Sequence, residues 1–511
     1  MATRLLSEKY KQQLEGVLSC YDRVILSGVL QPLGYAHGMT RYLYQHGIRI
    51  FDYVQFAQPF REALSKRAEE IAQEHQLKIE FIRKKNFRKE DAIRSILLKR
   101  GTHPGLVHIY SAMEACSAYE PWHDKQTGKT YLRYDSGKCL HYYFYFIDEE
   151  LGLCYLRVPT WCPFHLQFYF NGHSWLASQL RQKGVGCTLV ENGFTRIDDF
   201  ELANQLAQEL DVEKLHAKLQ AFVQYFCTPL QSLEANYYWT ITQAEYATDL
   251  IFQERSSLQA FYPHLLETLT HTVKPENIAT FLGRKLHPLF EGEMGNHFNI
   301  RILGTRIKHA MGSVSIKMYD KFGLILRIET TVNDVSFFKQ YRQVVHRTGE
   351  CEMTWAKMKK SIFSLTSLQE ALVAANRRYL EFISEIETPE VGIAVLNQLT
   401  HTKVENNHSY KGLNLLSEEE AGLFRLLLRG EFMISGFTNK ALRQIWPDKS
   451  SAQISRLLKR LRVLGLIKKV GRCYKYYLTQ LGRQAAVLCL KLREMYVIPY
   501  FSYSKPDIVS L

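Results

Sequence analysis

The sequence predicts a multidomain α/β protein, and three observations support this prediction. The chain has 511 residues, more than one ordinary domain contains, so roughly two to four folded units are expected. Hydrophobic residues make up 46% and charged residues 23%, which is typical of a globular protein. Short apolar segments with the spacing of strands alternate with amphipathic segments that have the spacing of helices.

The first predicted domain, residues 1–120, is a small N-terminal α/β layer. Apolar strand segments such as 23–30 alternate with polar helical segments such as 59–76. One loop of this domain is a cationic cluster with an aromatic residue inside it, and it contains Lys84 and Lys85. This loop is either a solvated turn or a phosphate contact.

The second predicted domain, residues 121–405, is a central mixed sheet with a helical region. Strand segments come first, between 130 and 170, and are followed by a helix and one more strand. Residues 198–290 have mainly helical spacing, and strand segments return between 300 and 331. This order predicts a sheet that is interrupted by a helical insert.

The third predicted domain, residues 413–495, follows a polar linker. It begins with a capping-box sequence, Ser417 to Glu420, and continues with two further helices and a strand-turn-strand hairpin. From Asn439 to Arg483 there are twelve Lys or Arg and one acidic residue, so this segment carries +11 of the +14 net charge of the chain. Such a concentration of cations favours the binding of a polyanion with release of counterions.

The segment SRLLKRLRVLGLIKKVGRCYKYYLTQLGRQ, within residues 415–490, resembles the bacterial MarR-like regulators, whose wing ends in a Tyr, Leu-Thr, Gly-Arg pattern. The resemblance implies a winged helix-turn-helix whose third helix enters the major groove and whose wing touches phosphate. The side chains expected to contact nucleic acid are Gln453, Arg456, Lys459 and Arg460 on the helix and Lys468, Lys469, Arg472 and Lys475 on the hairpin. The alternative is a winged helix that binds protein and has a solvated basic face.

The order of strands and helix between His141 and Val190 is similar to the opening of a ribonuclease H-like fold, and Glu191-Asn192-Gly193-Phe194 resembles a motif of transposases and integrases of that class. The resemblance places Asp148 and Glu191 on adjacent parallel strands. Glu245 or Asp249, spaced to share one face of a predicted helix, is the expected third carboxylate.

Together, Asp148, Glu191 and Glu245 would hold Mg²⁺ for phosphodiester chemistry. In the alternative interpretation these carboxylates are solvated, two of them in turns and the third on an exposed helix face.

A further candidate surface is the strand pair at 300–331. Its polar side chains, Arg306, Lys308, Lys317, Tyr319, Arg327 and Glu329, alternate with apolar ones. One sheet face is therefore predicted to be apolar and the other cationic, either as a nucleic-acid contact or as a salt-bridged surface. The sequence KMYDKFGLILRIE in this pair is loosely similar to a strand pair of rolling-circle replication initiators.

Several classes of protein are disfavoured. The ten cysteines show no CxxC spacing, which argues against structural zinc. We find no signal peptide and no apolar run of bilayer length, so we expect a reduced, cytoplasmic protein without a membrane partner, nucleoid-associated if prokaryotic. The sequence contains no GxxxxGK[ST] phosphate loop, so ATP-driven work is not supported.

These observations predict a nucleic-acid-binding protein, with DNA preferred to RNA. The first hypothesis is a Mg²⁺-dependent phosphodiester-cleaving or strand-transferring enzyme of the mobile-element type. The second is a non-enzymatic regulator or nucleoprotein component, and the third is a replication initiator. Self-association as a homo-oligomer is compatible with all three, and the sequence leaves the oligomeric state open.

Overall fold

A computed structural model describes residues 5–31, 33–84, 86–285, 294–301, 304–346, 349–386, 389–470 and 474–503. The chain divides into two units, residues 1–387 and 388–511, and each has its own hydrophobic core. The division differs from the three predicted domains, since residue 120 lies inside a strand and residue 405 lies in the second unit. The predicted N-terminal and central domains form one unit because their strands join one sheet.

The first unit is built on an eleven-stranded sheet. Its strands, including those of two small separate sheets, are β1 (Leu14–Leu30), β2 (Ile79–Phe81), β3 (Gly105–His123), β4 (Thr130–Asp148), β5 (Gly152–Pro159), β6 (Leu166–Asn171), β7 (Cys187–Val190), β8 (Gly193–Ile197), β9 (Tyr237–Phe252), β10 (Met294–Arg301), β11 (Gly304–Met311), β12 (Val314–Lys321), β13 (Ile325–Val332), β14 (Lys339–Val345) and β15 (Cys351–Lys357). The order in the large sheet is β10-β11-β12-β13-β9-β1-β6-β5-β4-β3-β2. Neighbouring strands are antiparallel except for β2 and β3, which are parallel.

The helices of the first unit cover this sheet. They are α1 (Leu6–Lys9), α2 (Ala36–Gln45), α3 (Tyr53–Glu74), α4 (Lys89–Arg100), α5 (Gly172–Gln182), α6 (Phe200–Gln208), α7 (Val212–Phe226), α8 (Arg255–Thr272), α9 (Pro275–Phe281) and α10 (Leu365–Ile386). In the part of the chain that the structure describes, no helix has the length and apolar character needed to cross a membrane.

Two helices contact opposite faces of the middle of the sheet. On one face, Asn376 of α10 donates a hydrogen bond to the carbonyl oxygen of Tyr246 at 3.1 Å. On the other face, α5 begins at Gly172, where a Cβ atom would lie 2.1 Å from the carbonyl oxygen of Tyr21 on β1. Glycine therefore allows α5 to start directly against the strand.

The prediction of helix was wrong for residues 237–252, which form β9 and lie between β13 and β1 in the sheet. Residues 246–252 are all buried, as is usual for a strand covered on both faces. The spacing of Glu245 and Asp249 also places two residues on one face of a strand, so the periodicity did not distinguish the two structures.

The sheet also differs from the ribonuclease H-like arrangement. That arrangement requires β7 beside β4 and parallel to it. Instead, β7 pairs antiparallel with β8 in a separate two-stranded sheet. The strand segments themselves were located correctly, but their pairing depends on contacts that lie far apart in the sequence.

The second unit contains α11 (Pro389–Thr400), β16 (Lys403–Glu405), β17 (His408–Tyr410), α12 (Glu418–Leu427), α13 (Gly430–Ser435), β18 (Phe437–Thr438), α14 (Asn439–Ile445), α15 (Ser451–Val463), β19 (Ile467–Lys469), β20 (Lys475–Leu478), α16 (Gln480–Leu492) and α17 (Ile498–Tyr503). Ser417 caps α12, as the capping-box sequence predicts, and Thr438 and Ser450 cap α14 and α15. Strands β18, β20 and β19 form a small sheet in that order. The apolar side chains of α15, Ile454, Leu458 and Leu461, are buried in the core of this unit.

Candidate functional site

The middle of the large sheet has a polar face, which is the face that α5 covers. Side chains alternate along a strand, so each strand contributes every second residue to this face. The residues concerned are Lys317 and Tyr319 of β12, Arg327, Glu329 and Thr331 of β13, Glu245 and Asp249 of β9, and Asp22 of β1. We call this the polar sheet face. The intervening residues Ile316, Met318, Leu326 and Ile328 are buried, as the alternation over 300–331 predicts.

Three carboxylates of the polar sheet face converge. One oxygen each of Asp22, Glu245 and Glu329 lies within 4.8 Å of the other two, and we call this group the acidic trio. Asp22 lies at a bulge in β1, between the pairs Tyr21–Tyr246 and Arg23–Glu245. A bulge of this kind redirects side chains, and here it lies at Asp22, a member of the trio.

Lys317 lies next to the trio and neutralises part of its charge. Its Nζ atom donates to Glu329 Oε1 at 2.6 Å and to Glu245 Oε1 at 3.4 Å. Burial opposes the charge of Lys317, but Glu329 and Glu245 raise the pKa of the ammonium group above its ordinary value. Burial and the neighbouring Glu329 raise the pKa of Glu245. The hydroxyl of Tyr319 donates to Glu329 Oε2 at 2.6 Å.

Arg327 connects Asp22 of the trio, which lies 3.5 Å from its Nη1 atom, to a fourth carboxylate, that of the buried Asp249. Its side chain is 0% exposed and makes a bidentate pair with Asp249, at 2.7 Å and 2.6 Å. Its Nη2 atom also donates to the carbonyl oxygen of Asn192 at 2.7 Å and lies 3.0 Å from His173 Nε2. These contacts satisfy a guanidinium that could not otherwise be buried.

Asp22 is held in its charged form by several donors. The amide of Asn192 lies 2.8 Å from both of its oxygens, Asn171 donates at 3.1 Å, and His173 Nδ1 lies 3.1 Å away. Burial alone would raise the pKa of Asp22. His173, Arg327 and Asn192 instead hold it well below the ordinary value. Asp22 is therefore a fixed negative charge at any pH near neutrality.

Cations surround this acidic group. Burial and the nearby Arg327 lower the pKa of Lys321 to about 8, and Lys321 donates a hydrogen bond to Asn192 Oδ1. Lys308 of β11 is directly opposite Lys317, and burial together with that neighbour lowers its pKa. Arg23 lies opposite Glu245. Three carboxylate oxygens this close together can hold a metal ion.

The predicted trio of Asp148, Glu191 and Glu245 is not brought together, and this prediction was wrong. Asp148 ends β4, accepts hydrogen bonds from two backbone amides of the following turn, and pairs with Lys218 at 3.0 Å. Glu191 is exposed in the β7–β8 turn and pairs with Arg94 at 3.2 Å. The reason is the pairing of β7 with β8, which separates Glu191 from the end of β4.

Of the predicted carboxylates, Glu245 belongs to the acidic trio and Asp249 is paired with Arg327. Neither Asp22 nor Glu329 was predicted as a metal ligand from the sequence. A signal for Asp22 was present, because this acidic residue stands directly before the predicted strand segment 23–30 and is preceded by the largely apolar residues 17–21. A charged residue in a buried strand requires a partner, and this makes it a candidate for function.

Some of the predicted nucleic-acid contacts of the second unit are exposed in the structure, and others are held in ion pairs. Gln453, Arg456 and Lys468 are exposed, and Lys469 and Lys475 lie 4.5 Å and 6.0 Å from the ring centroids of Tyr474 and Tyr477. Lys459 instead pairs with Glu405. Arg460 binds the carbonyl oxygens of 411 and 412, each at 2.8 Å, and the carboxylate of Glu420. Lys84 is exposed, whereas Arg472 and Lys85 lie outside the described residues.

Comparison with known proteins gives no family assignment. No family model and no curated protein matches the chain. Among solved structures, the chain matches the class II 3-hydroxy-3-methylglutaryl-CoA reductase from Streptococcus pneumoniae bound to NADPH, with 11% identity over 89% of this chain and 80% of that chain. The TM-score of this match is 0.16, and at that value the similarity carries no information about fold or function.

Proposed function

We propose that the protein binds nucleic acid, DNA in preference to RNA, through its second unit, which we assign as a winged helix-turn-helix. The observation that carries this proposal is the set of exposed cations on α15 and β19, Arg456, Arg462 and Lys468. They lie in the segment 439–483, where twelve cations and one acidic residue give a charge of +11. Binding of a polyanion relieves the repulsion within such a segment.

The proposed contact residues divide into two kinds. Gln453 and Arg456 lie in the first half of α15, the part of a recognition helix that reaches base edges in the major groove. Lys468 and Lys475, on the two strands of the hairpin, are suited to phosphates. Lys459 and Arg460 have a different role in this proposal, since their ion pairs fix α15 within the unit.

The test is binding of labelled duplex DNA and duplex RNA by fluorescence anisotropy over a range of salt concentrations. We expect the double variant Arg456→Ala/Lys468→Ala to weaken duplex binding by about tenfold or more and to reduce its salt dependence. The matched control is Arg61→Ala/Lys66→Ala, which removes two exposed cations from α3. Equal affinity of the two double variants would contradict the assignment of this face.

A second candidate function, metal-dependent phosphodiester chemistry, is supported by the acidic trio. Three carboxylate oxygens are the donor set that Mg²⁺ and similar hard cations prefer, so Asp22, Glu245 and Glu329 fit such an ion. When bound, the ion would supply an activated water or hydroxyl and a positive charge for the leaving oxygen. Lys308, directly opposite Lys317 on the neighbouring strand, is suited to the phosphate.

The non-enzymatic alternative also rests on a specific observation. Lys317 is already 2.6 Å from Glu329 and therefore neutralises part of the trio without a metal. In that case the polar sheet face is a buried ion-pair network that fixes the pairing of β12, β13, β9 and β1. The two alternatives differ in whether a divalent cation competes with the ammonium group.

Thermal unfolding with Mg²⁺, with Mn²⁺ and with a chelator distinguishes these alternatives. We expect Lys317→Met to lower the melting temperature, because it leaves Glu245 and Glu329 unpaired, and we expect Mg²⁺ to restore part of the loss. Glu245→Gln/Glu329→Gln should abolish the response to metal and any metal-dependent cleavage of labelled nucleic acid. Glu191→Gln is the control and should retain both. No metal response in any of these proteins would support the non-enzymatic alternative.

A further inference from the structure

The hairpin of β14 and β15 is separate from the large sheet. Its two strands pair only with each other among the described residues, and the hairpin leaves the sheet a few residues after β13. A two-stranded hairpin is marginally stable by itself. Contacts with the body of the unit support its base, since Met358 N donates to Phe338 O at 2.9 Å and Gln340 Nε2 donates to Ser367 Oγ at 2.7 Å.

One face of this hairpin is exposed along its whole described length. The cross-strand pairs on that face are Lys339–Lys357, Tyr341–Trp355, Gln343–Met353 and Val345–Cys351, and all eight residues are exposed. We call this the hairpin face. Tyr341 is 55% exposed and Trp355 is 65% exposed. Contiguous apolar surface of this kind is uncommon in a protein without a partner and marks an interaction site.

The two aromatic rings leave their own faces available for stacking. The centroids of Tyr341 and Trp355 are 5.9 Å apart and the planes are inclined by 54°, so the rings do not stack on each other. They are held in this position by direct cross-strand pairing. A planar ligand can therefore stack against either ring without displacing the other.

The charge of the hairpin face selects the kind of partner. Lys339 lies directly opposite Lys357, an arrangement of like charges that destabilises a strand pair unless an anion is present. The hairpin face has no acidic residue among its eight members. Glu352 alternates onto the other side of the hairpin, where it lies 3.3 Å from His346. A partner that complements this face therefore carries negative charge and aromatic rings.

We propose that the hairpin face binds single-stranded nucleic acid, with unpaired bases stacked on Tyr341 and Trp355 and phosphates at Lys339 and Lys357. Base stacking on aromatic side chains beside cations is the general mode of single-strand binding. A duplex does not offer this contact, because its bases are already stacked on each other. The inference rests on the proposed function. It adds another nucleic-acid contact, which lies in the first unit and prefers single strands to duplexes.

The test uses the full-length protein, a labelled single-stranded thymidine oligonucleotide and a labelled duplex, each measured by fluorescence anisotropy. We expect Tyr341→Ala/Trp355→Ala to weaken single-strand binding by roughly fivefold or more and to leave duplex binding unchanged. Trp355→Phe keeps an aromatic ring and should retain most of the affinity. Tyr44→Ala, which removes an 82% exposed aromatic side chain from α2, is the matched control and should have no effect.

Failure of this inference is distinguishable from failure of the proposed function. If the wild type binds duplex but not single strands, or if the double variant keeps its single-strand affinity, the inference is overturned while the winged-helix proposal stands. If Arg456→Ala/Lys468→Ala loses duplex binding and keeps single-strand binding, the two contacts are independent and the inference is supported. Self-association through the hairpin face, lost in the double variant and without single-strand binding, would assign the face to a second copy instead.

Discussion

Arg327 is a fully buried cation whose charge is balanced within its own surroundings. Its guanidinium binds Asp249 through two hydrogen bonds and also contacts Asn192 and His173. The attraction between the charges has to offset the free-energy cost of removing them from water, so a buried pair adds little net stability. Removing one partner is nevertheless costly, because the other is left charged and without compensation.

We therefore expect Arg327→Met to lower the free energy of unfolding by about 3–5 kcal/mol, measured by urea denaturation. The exposed pair of Arg94 and Glu191 provides the comparison, and Arg94→Ala should cost less than about 1 kcal/mol. The double variant Arg327→Met/Asp249→Leu should recover part of the loss, since it removes both charges. A small effect of Arg327→Met would contradict the view that Asp249 needs this guanidinium to stay buried and charged.

The pH dependence of stability should show opposite effects of two carboxylates. The folded-state pKa of Asp22 is lowered, so its contribution to stability is present above its unfolded value, about 4, and is lost as the pH falls toward the folded value. The pKa of Glu245 is raised, so its contribution is present below its unfolded value and is lost as the pH rises through the folded value.

At neutral pH we accordingly expect Asp22→Asn to lower the free energy of unfolding and Glu245→Gln to raise it or leave it unchanged. The measurement is urea unfolding at a series of pH values from neutral to acidic, without divalent cations. A decrease in stability for Glu245→Gln as large as that for Asp22→Asn would show that the charge of Glu245 is stabilising, against this expectation.

At the scale of elements, the contact between α5 and β1 determines how the helix covers the polar sheet face. The helix begins with Gly172, and the next residue, His173, lies 3.1 Å from Asp22. Asn171 caps the same helix and also donates to Asp22. The start of one helix therefore supplies two of the contacts that hold Asp22 in its charged form.

Gly172→Ala tests this contact. The added Cβ would lie 2.1 Å from a backbone oxygen of β1, so the helix must shift and the contacts with Asp22 must lengthen. We expect a loss of about 1–3 kcal/mol in the free energy of unfolding, as for other overpacked sites. Gly137→Ala in β4 is the control, because its Cβ would come no closer than 3.9 Å to Ala118. Equal stability of the two variants would show that α5 adjusts freely.

At the scale of the molecule, the two units have separate cores. The core of residues 388–511 includes Leu423, Phe424, Leu458 and Leu461, and it is distinct from the core of the large sheet. A unit of this size with its own core is within the range that folds independently. In the proposed function the two units also have separate roles, because duplex binding belongs to the second unit and the acidic trio lies in the first.

We expect a fragment of residues 389–511 to fold by itself and to bind duplex DNA with an affinity within about tenfold of the full chain, since the proposed contacts of α15 and of the β19–β20 hairpin lie inside it. Circular dichroism with thermal unfolding tests its folding, and anisotropy tests its binding. Leu458→Ala, which creates a cavity in this core, should lower the melting temperature of the fragment and of the corresponding transition in the full chain. An unfolded fragment would show that the second unit depends on the first.

The sequence by itself determined the features that depend on neighbouring residues. Ser417, Thr438 and Ser450 cap their helices by binding amides three residues ahead, so the local sequence is sufficient to predict these starts. The apolar and polar faces of β12 and β13 likewise follow from alternation along the strand. The concentration of charge between 439 and 483 is also a property of composition alone.

Only the tertiary structure decided which carboxylates meet. In the sequence, Asp22 is separated from both Glu245 and Glu329 by hundreds of residues. The three carboxylates converge because β1 and β13 both pair with β9. Local periodicity does not encode the order of strands in a sheet, and for this reason Asp148 and Glu191 were equally plausible ligands before the pairing was known. The order is set by long-range packing, in which each strand's partners are selected by the burial of both faces together.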